Sequence, residues 1–165
     1  EDIDKVNVMQ GEKVMVFEYE DNNYRYKNLN RKNVKIRITM PEVNAITLSG
    51  ASKVYLTGFN AASLEITQNG ASFCSVDADF EEITANVNGA SELILKGEGE
   101  ELSIELSGAS QLNANNYQVN FANVKASGLS EAQLYVIKQI TLDASLVSEV
   151  KYRGGAELIS DKEVD

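Results

Sequence analysis

The chain has 165 residues, enough for one domain with a core of its own, so neither a disulfide nor a metal is needed to explain folding. Its 25 acidic and 15 basic residues leave a formal net charge of -10, which argues against nucleic acid or an anionic lipid surface as a partner. There is no His, so the commonest general base and metal ligand is missing, and the single Cys, Cys74, cannot form an internal bridge.

The opening residues, EDIDKVNVMQ, lack the basic and then apolar layout of a signal peptide, and no apolar run reaches the ~18 residues of a membrane span. A cytosolic protein, or one whose leader has been removed, is implied. Residues 1–40 carry eight basic and seven acidic groups. "EKVMVFEYE" and "NVKIRITM" read as strands, the second with Val34, Ile36, Ile38 and Met40 on one face, separated by the polar, Tyr-rich DNNYRYKNLNR. This segment is expected to cap the structure that follows, with Met40-Pro41 at the junction because Pro cannot donate a ladder hydrogen bond.

From residue 41 one phrase returns: SGAS at 49, NGAS at 69 and 88, SGAS at 107, SGLS at 127. Its last Ser stands at Ser52, Ser72, Ser91, Ser110, Ser130 and, more weakly, Ser148, in steps of 20, 19, 19, 20 and 18 residues. Two and four places after each Ser lie apolar columns, from Val54 and Leu56 through Leu93 and Leu95 to Val150 and Tyr152. A second set precedes each Ser, for example Ile83, Ala85 and Val87, or Leu102, Ile104 and Leu106, with Gln68 and Asn44 as misfits. Thr, Glu, Lys and Asn alternate with these columns, which is the period of strands with one buried face.

Both sets hold register from the same Ser, so the variation in repeat length falls in a turn around Gly58, Ala78, Gly97 and Asn116. Gly50, Gly70, Gly89, Gly108 and Gly128 sit two before the Ser, where a corner is expected to need positive φ. Leu146 takes that place at the sixth level. Repeats of this length predict an all-β solenoid of about six short coils, a parallel β-helix over residues 41–155. An antiparallel sandwich gives no reason for identical phrases to recur in register. Gly154-Gly155 breaks the pattern, and residues 156–165 read as a C-terminal tail.

"VKIRITMPEVNAITLSGAS", the serial SGAS and NGAS phrases and "SEVKYRG" resemble the Putative auto-transporter adhesin, head GIN domain family, found mainly in Bacteroidetes. The resemblance spans about residues 33–154 and implies a right-handed parallel β-helix, displayed at the cell surface, in the periplasm or outside the cell. It brings no catalytic residues with it.

Three features are candidates for function. The Ser column would need a base to act as nucleophile, and only Lys53 adjoins it, on the opposite face of its strand. Hydroxyls satisfying corner backbone groups are the expected role. Asp77, Asp79, Glu81 and Glu82, with Glu98, Glu100 and Glu101 one repeat later, are expected in the variable turns, where stacking would form a carboxylate patch able to hold calcium or simply to stay solvated. Tyr55, Phe73 and Ile94 lie on outward positions that hold polar residues in later coils, and predict a contact surface for a protein or glycan, or for self-association as a homo-oligomer, unless the N-terminal segment covers it. The expectation is therefore a noncatalytic adhesin-like module without a cofactor. A pectate-lyase-like enzyme and a structural envelope scaffold are the alternatives.

Overall fold

The structure, a computed structural model, describes residues 6–11, 14–19, 35–145 and 147–160. The chain divides into two compact units, Glu1–Met40 and Pro41–Asp165. In the first, β1 (Val6–Gln10) pairs antiparallel with β2 (Met15–Tyr19), Val8 opposite Phe17. β2 lies inside the expected "EKVMVFEYE" strand. The "NVKIRITM" strand does not form among the described residues: 35–40 pair with nothing, so their alternation marks no ladder. DNNYRYKNLNR lies outside the described residues.

The second unit is a β-solenoid of about six turns. β3 (Ala45–Leu48), β4 (Lys53–Gln68), β5 (Phe73–Val87), β6 (Glu92–Leu106), β7 (Gln111–Ala126) and β8 (Glu131–Ala144) stack in chain order, each parallel to the next. β9 (Glu149–Arg153) pairs with the first half of β8 and β10 (Glu157–Ser160) with its second half. The chain after Gly154-Gly155 is thus not all tail. Gly154, at φ +110°, turns the corner, and β10 continues the ladder.

Alternation places one column after another inside. In β6, Leu93, Leu95, Leu102, Ile104 and Leu106 are all 2% exposed or less, and a fully buried side chain of this kind contributes about 1.5–3 kcal/mol. The misfit Gln68 is buried too, with Nε2 donating to Ser72 Oγ and to Glu92 O. Asn44 is exposed.

The Gly column is required twice over. Gly89 has φ +83°, and a Cβ there would lie 2.4 Å from the carbonyl oxygen of Gly70 directly beneath it. Gly108 on Gly89 and Gly128 on Gly108 repeat that approach. Register confirms where the repeat length varies. The pairing slips between Thr57 and Asn60, between Ile94 and Lys96, between Ala114 and Gln118, and between Val119 and Phe121, all after the first strand segment, while the Ser corner never slips. Leu146 lies outside the described residues.

The coils of β4 to β8 differ from the expected pair of short strands with a turn between them, which only β9 and β10 retain. β5 runs 15 residues without a break, and Ala78 and Phe80 point into the core between outward acidic side chains. Tyr117, Val119 and Val136 fill the same inward columns in later coils. The strand bends at Glu81-Glu82, where two successive residues are exposed and the inward phase switches from even to odd numbers.

Candidate functional site

On the first segment of each coil the outward side chains form two columns. Register places Lys53, Phe73, Glu92, Gln111, Glu131 and Glu149 in one, and Tyr55, Ser75, Ile94, Asn113, Gln133 and Lys151 in the other. Tyr55 is 69% exposed, and its ring centroid lies 5.5 Å from that of Phe73 at an interplanar angle of 48°. Such tilted contacts are favoured between aromatic rings. Ile94 is half-buried one coil beyond, with Ser75 between it and Tyr55 in the column. Tyr55 and Phe73 are therefore joined directly, and Ile94 extends the patch diagonally from Phe73.

The acidic side chains stand on strand, not in a loop. Asp79, Glu81, Glu98 and Glu100, with Asn60, Gln118 and Asn120, line a shallow open groove of about 580 Å³. Asp77 lies beside it, opposite Lys96. Several of these oxygens are already engaged. Asp79 Oδ1 accepts the backbone N–H of Glu98 at 2.9 Å, and Glu100 accepts Asn120 Nδ2 at 2.5 Å and faces Lys138 Nζ at 3.8 Å. Among the described residues no three carboxylates converge in a metal-holding group.

Beneath the groove the ladder between β5 and β6 is interrupted, from the Asp77–Lys96 pair to the Glu82–Glu101 pair. Tyr117 closes the gap from inside. Its Oη donates to Phe80 O at 2.8 Å and accepts the Phe80 N–H at 3.4 Å, passing over Gly99, where a Cβ would lie 2.6 Å from that oxygen. Burial pushes the Tyr117 phenol up to about 12, opposed by the Phe80 hydrogen bond and reinforced by Asp79 and Glu98. Spacing from the Ser column does not single Tyr117 out. The signal for it lies in KGEGEE, whose glycines leave inward space in β6 for a large neighbour.

Four of the six serines in the column serve the corners, while among the described residues the Ser110 hydroxyl is buried without a hydrogen-bond partner. Ser52, Ser91, Ser130 and Ser148 donate to the carbonyls of Ser49, Asn88, Ser127 and Ser145, at 2.7, 2.9, 2.9 and 2.8 Å. Ser72 Oγ and Ser91 Oγ lie 3.1 Å apart. With its proton committed to Ser49, Ser52 is not aimed at Lys53. Cys74 is buried, and desolvation pushes its thiol up to about 12, so it remains protonated and unreactive.

These are the properties of a β-solenoid that displays columns of side chains on a rigid frame. The Putative auto-transporter adhesin, head GIN domain family model matches residues 2–156, and the chain belongs to that family. No curated protein and no solved structure matches it. Among the described residues no helix is long and apolar enough to cross a membrane.

Proposed function

We propose that the chain is a noncatalytic adhesin-like binding module, displayed on the cell surface or outside the cell, whose contact face is built on Tyr55, Phe73 and Ile94. The observation that carries this reading is the change of character along one face. In the first coils its outward columns hold two touching aromatic rings and an isoleucine among Lys53, Ser75 and Glu92, and from Gln111 onward they hold amides and charges alone. An exposed tyrosine stacked on a half-buried phenylalanine and rimmed by polar groups suits contact with a protein or with the flat face of a sugar ring. Family membership supports an adhesive role. The interior supports the absence of a ligand cavity, since the inward columns are filled by side chains.

Calorimetry against acidic and neutral polysaccharides, paired with adherence to protein-coated surfaces, tests this reading. Binding by the unaltered chain and its loss in Tyr55→Ser/Phe73→Ser, with the melting transition preserved, is the expected result. Light scattering on the same double variant shows whether the partner at this face is another copy, because its mass then falls. Unchanged binding and unchanged mass would remove the face from consideration.

A further inference from the structure

We propose that the C-terminal end of the solenoid is a second, self-complementary contact surface, at which two copies meet end to end about a two-fold axis with β9 against β9 of the partner. This goes beyond the Tyr55 face and does not depend on it.

The end is apolar and its backbone is open. Tyr152 is 38% exposed and Leu158 48%, although they continue the columns in which Leu134 and Ile140 are completely buried one coil below. Both β9 and β10 pair with β8 on one side, and among the described residues nothing pairs with their other side. Such an edge is a template for another strand.

Register decides between two ways of adding a copy. In a head-to-tail stack, β9 would lie on residues 53–57 of the next copy and continue the parallel ladder. That arrangement contends with β3. Following the pairs downward, β10 aligns with 139–142, 121–124, 101–104, 82–85 and finally 63–66, whereas β3 already occupies the edge of β4 at 65–68. Both strands would claim Glu65 and Ile66. The C-terminal end has no such step, because β9 and β10 finish their two segments in the same coil.

A two-fold axis through β9 turns its sequence back on itself. Centred on Lys151, the antiparallel pairing sets Glu149 opposite Arg153 of the partner subunit on the outer side, twice, and Val150 opposite Tyr152 of the partner subunit on the inner side, twice. Directly opposed residues of an antiparallel pair hold their Cβ atoms ~5 Å apart, close enough for both contacts. The two central lysines face each other as like charges, and the Glu149 carboxylate 2.8 Å from each Lys151 Nζ in its own chain offsets that repulsion. Arg153 lies over the Tyr135 ring, 3.9 Å from its centroid, and gives one N–H to Asn115 O. Most of its five donors stay available for the carboxylate across the axis. One coil end is small beside the ~800 Å² per partner of a standard interface, so the dimer is weak and concentration-dependent.

Sedimentation equilibrium of the full chain from about 1 μM to about 1 mM tests the proposal. Mass is expected to rise toward that of a dimer. Glu149→Arg alone or Arg153→Glu alone sets like charges opposite each other and is expected to weaken the dimer at least tenfold. The double exchange Glu149→Arg/Arg153→Glu restores the opposite pairs and the association. Circular dichroism melts confirm that each variant folds, and should Arg153→Glu unfold, Glu149→Arg and a fall in association at high salt carry the test. A monomer at every concentration overturns the proposal, and so does a dimer that both single reversals leave intact. Tyr55→Ser/Phe73→Ser leaves this dimer unchanged, so loss of the Tyr55 contact and loss of the end contact read out separately.

Discussion

Tyr117 on β7 reaches past a whole coil to bond the backbone of Phe80 on β5, 37 residues earlier in the chain. The contact exists because β6 carries Gly97 and Gly99 at the inward positions between them, where any Cβ would strike the Ala78 or Phe80 carbonyl at 2.4 and 2.3 Å. One phenol thereby ties β7 to β5 across the stretch where the ladder between β5 and β6 is interrupted.

Tyr117→Phe keeps the ring and removes that tie. Phe80 O then loses its buried donor, which costs about 1–3 kcal/mol. Urea unfolding should show the midpoint lowered with the slope unchanged, and an unaltered midpoint would mean that the bond contributes nothing.

Gly89→Ala tests the corner. The new side chain meets both a positive φ, which costs about 1–3 kcal/mol in itself, and the Gly70 carbonyl beneath it. Destabilisation should exceed that of Gly50→Ala, because a methyl group added at Gly50 would meet nothing within 4 Å. Equal losses at the two sites would leave the stacking approach without energetic weight.

Ile104→Asp places a carboxylate in the middle of a buried column. Burying an unpaired charge costs far more than one domain's margin of stability, so cooperative unfolding should disappear. A stable variant would contradict the inward register.

Alkaline pH should destabilise the fold through two groups. Cys74 is raised from 9.0 to about 12 and Tyr117 from 10.0 to about 12. The folded chain therefore keeps protons that the unfolded chain releases, and stability falls between pH 9 and 12, by about 1.4 kcal/mol per pH unit for each group in its window. Cys74→Ala and Tyr117→Phe should each flatten that slope in pH-dependent melts.

Most of the solenoid was legible from residue 41 onward, because an in-register Ser phrase and period-two columns can be satisfied together only by stacked coils. Ile104 and Leu93 could be placed inside from spacing alone. The carboxylates of Asp77, Asp79 and Glu81 hid the rest of β5: they suggested a solvated turn, although Ala78 and Phe80 alternate with them as in any half-buried strand. Near the N-terminus the same rule misled in the other direction. Ile36, Ile38 and Met40 alternate, but alternation marks a face and says nothing about whether a partner strand is at hand. The Tyr55 and Phe73 contact was readable because both count outward from a known Ser, whereas the symmetry of β9 became visible only once β3 and β10 had been set in register.

The slips in pairing at Thr57, Ile94, Ala114 and Val119 give the coil one permissive edge and one fixed spine. Along the spine the carbonyls of Gly50, Gly70, Gly89 and Gly108 each forbid an added atom in the coil above, so the rod can lengthen only by whole coils. Along the permissive edge one residue more or fewer is absorbed without disturbing the coil above. Peptide tags or epitopes grafted beside Gly58, where an added side chain would meet nothing within 4 Å, should therefore be carried like pages on a binding, whereas the same insert at Gly89 would tear it.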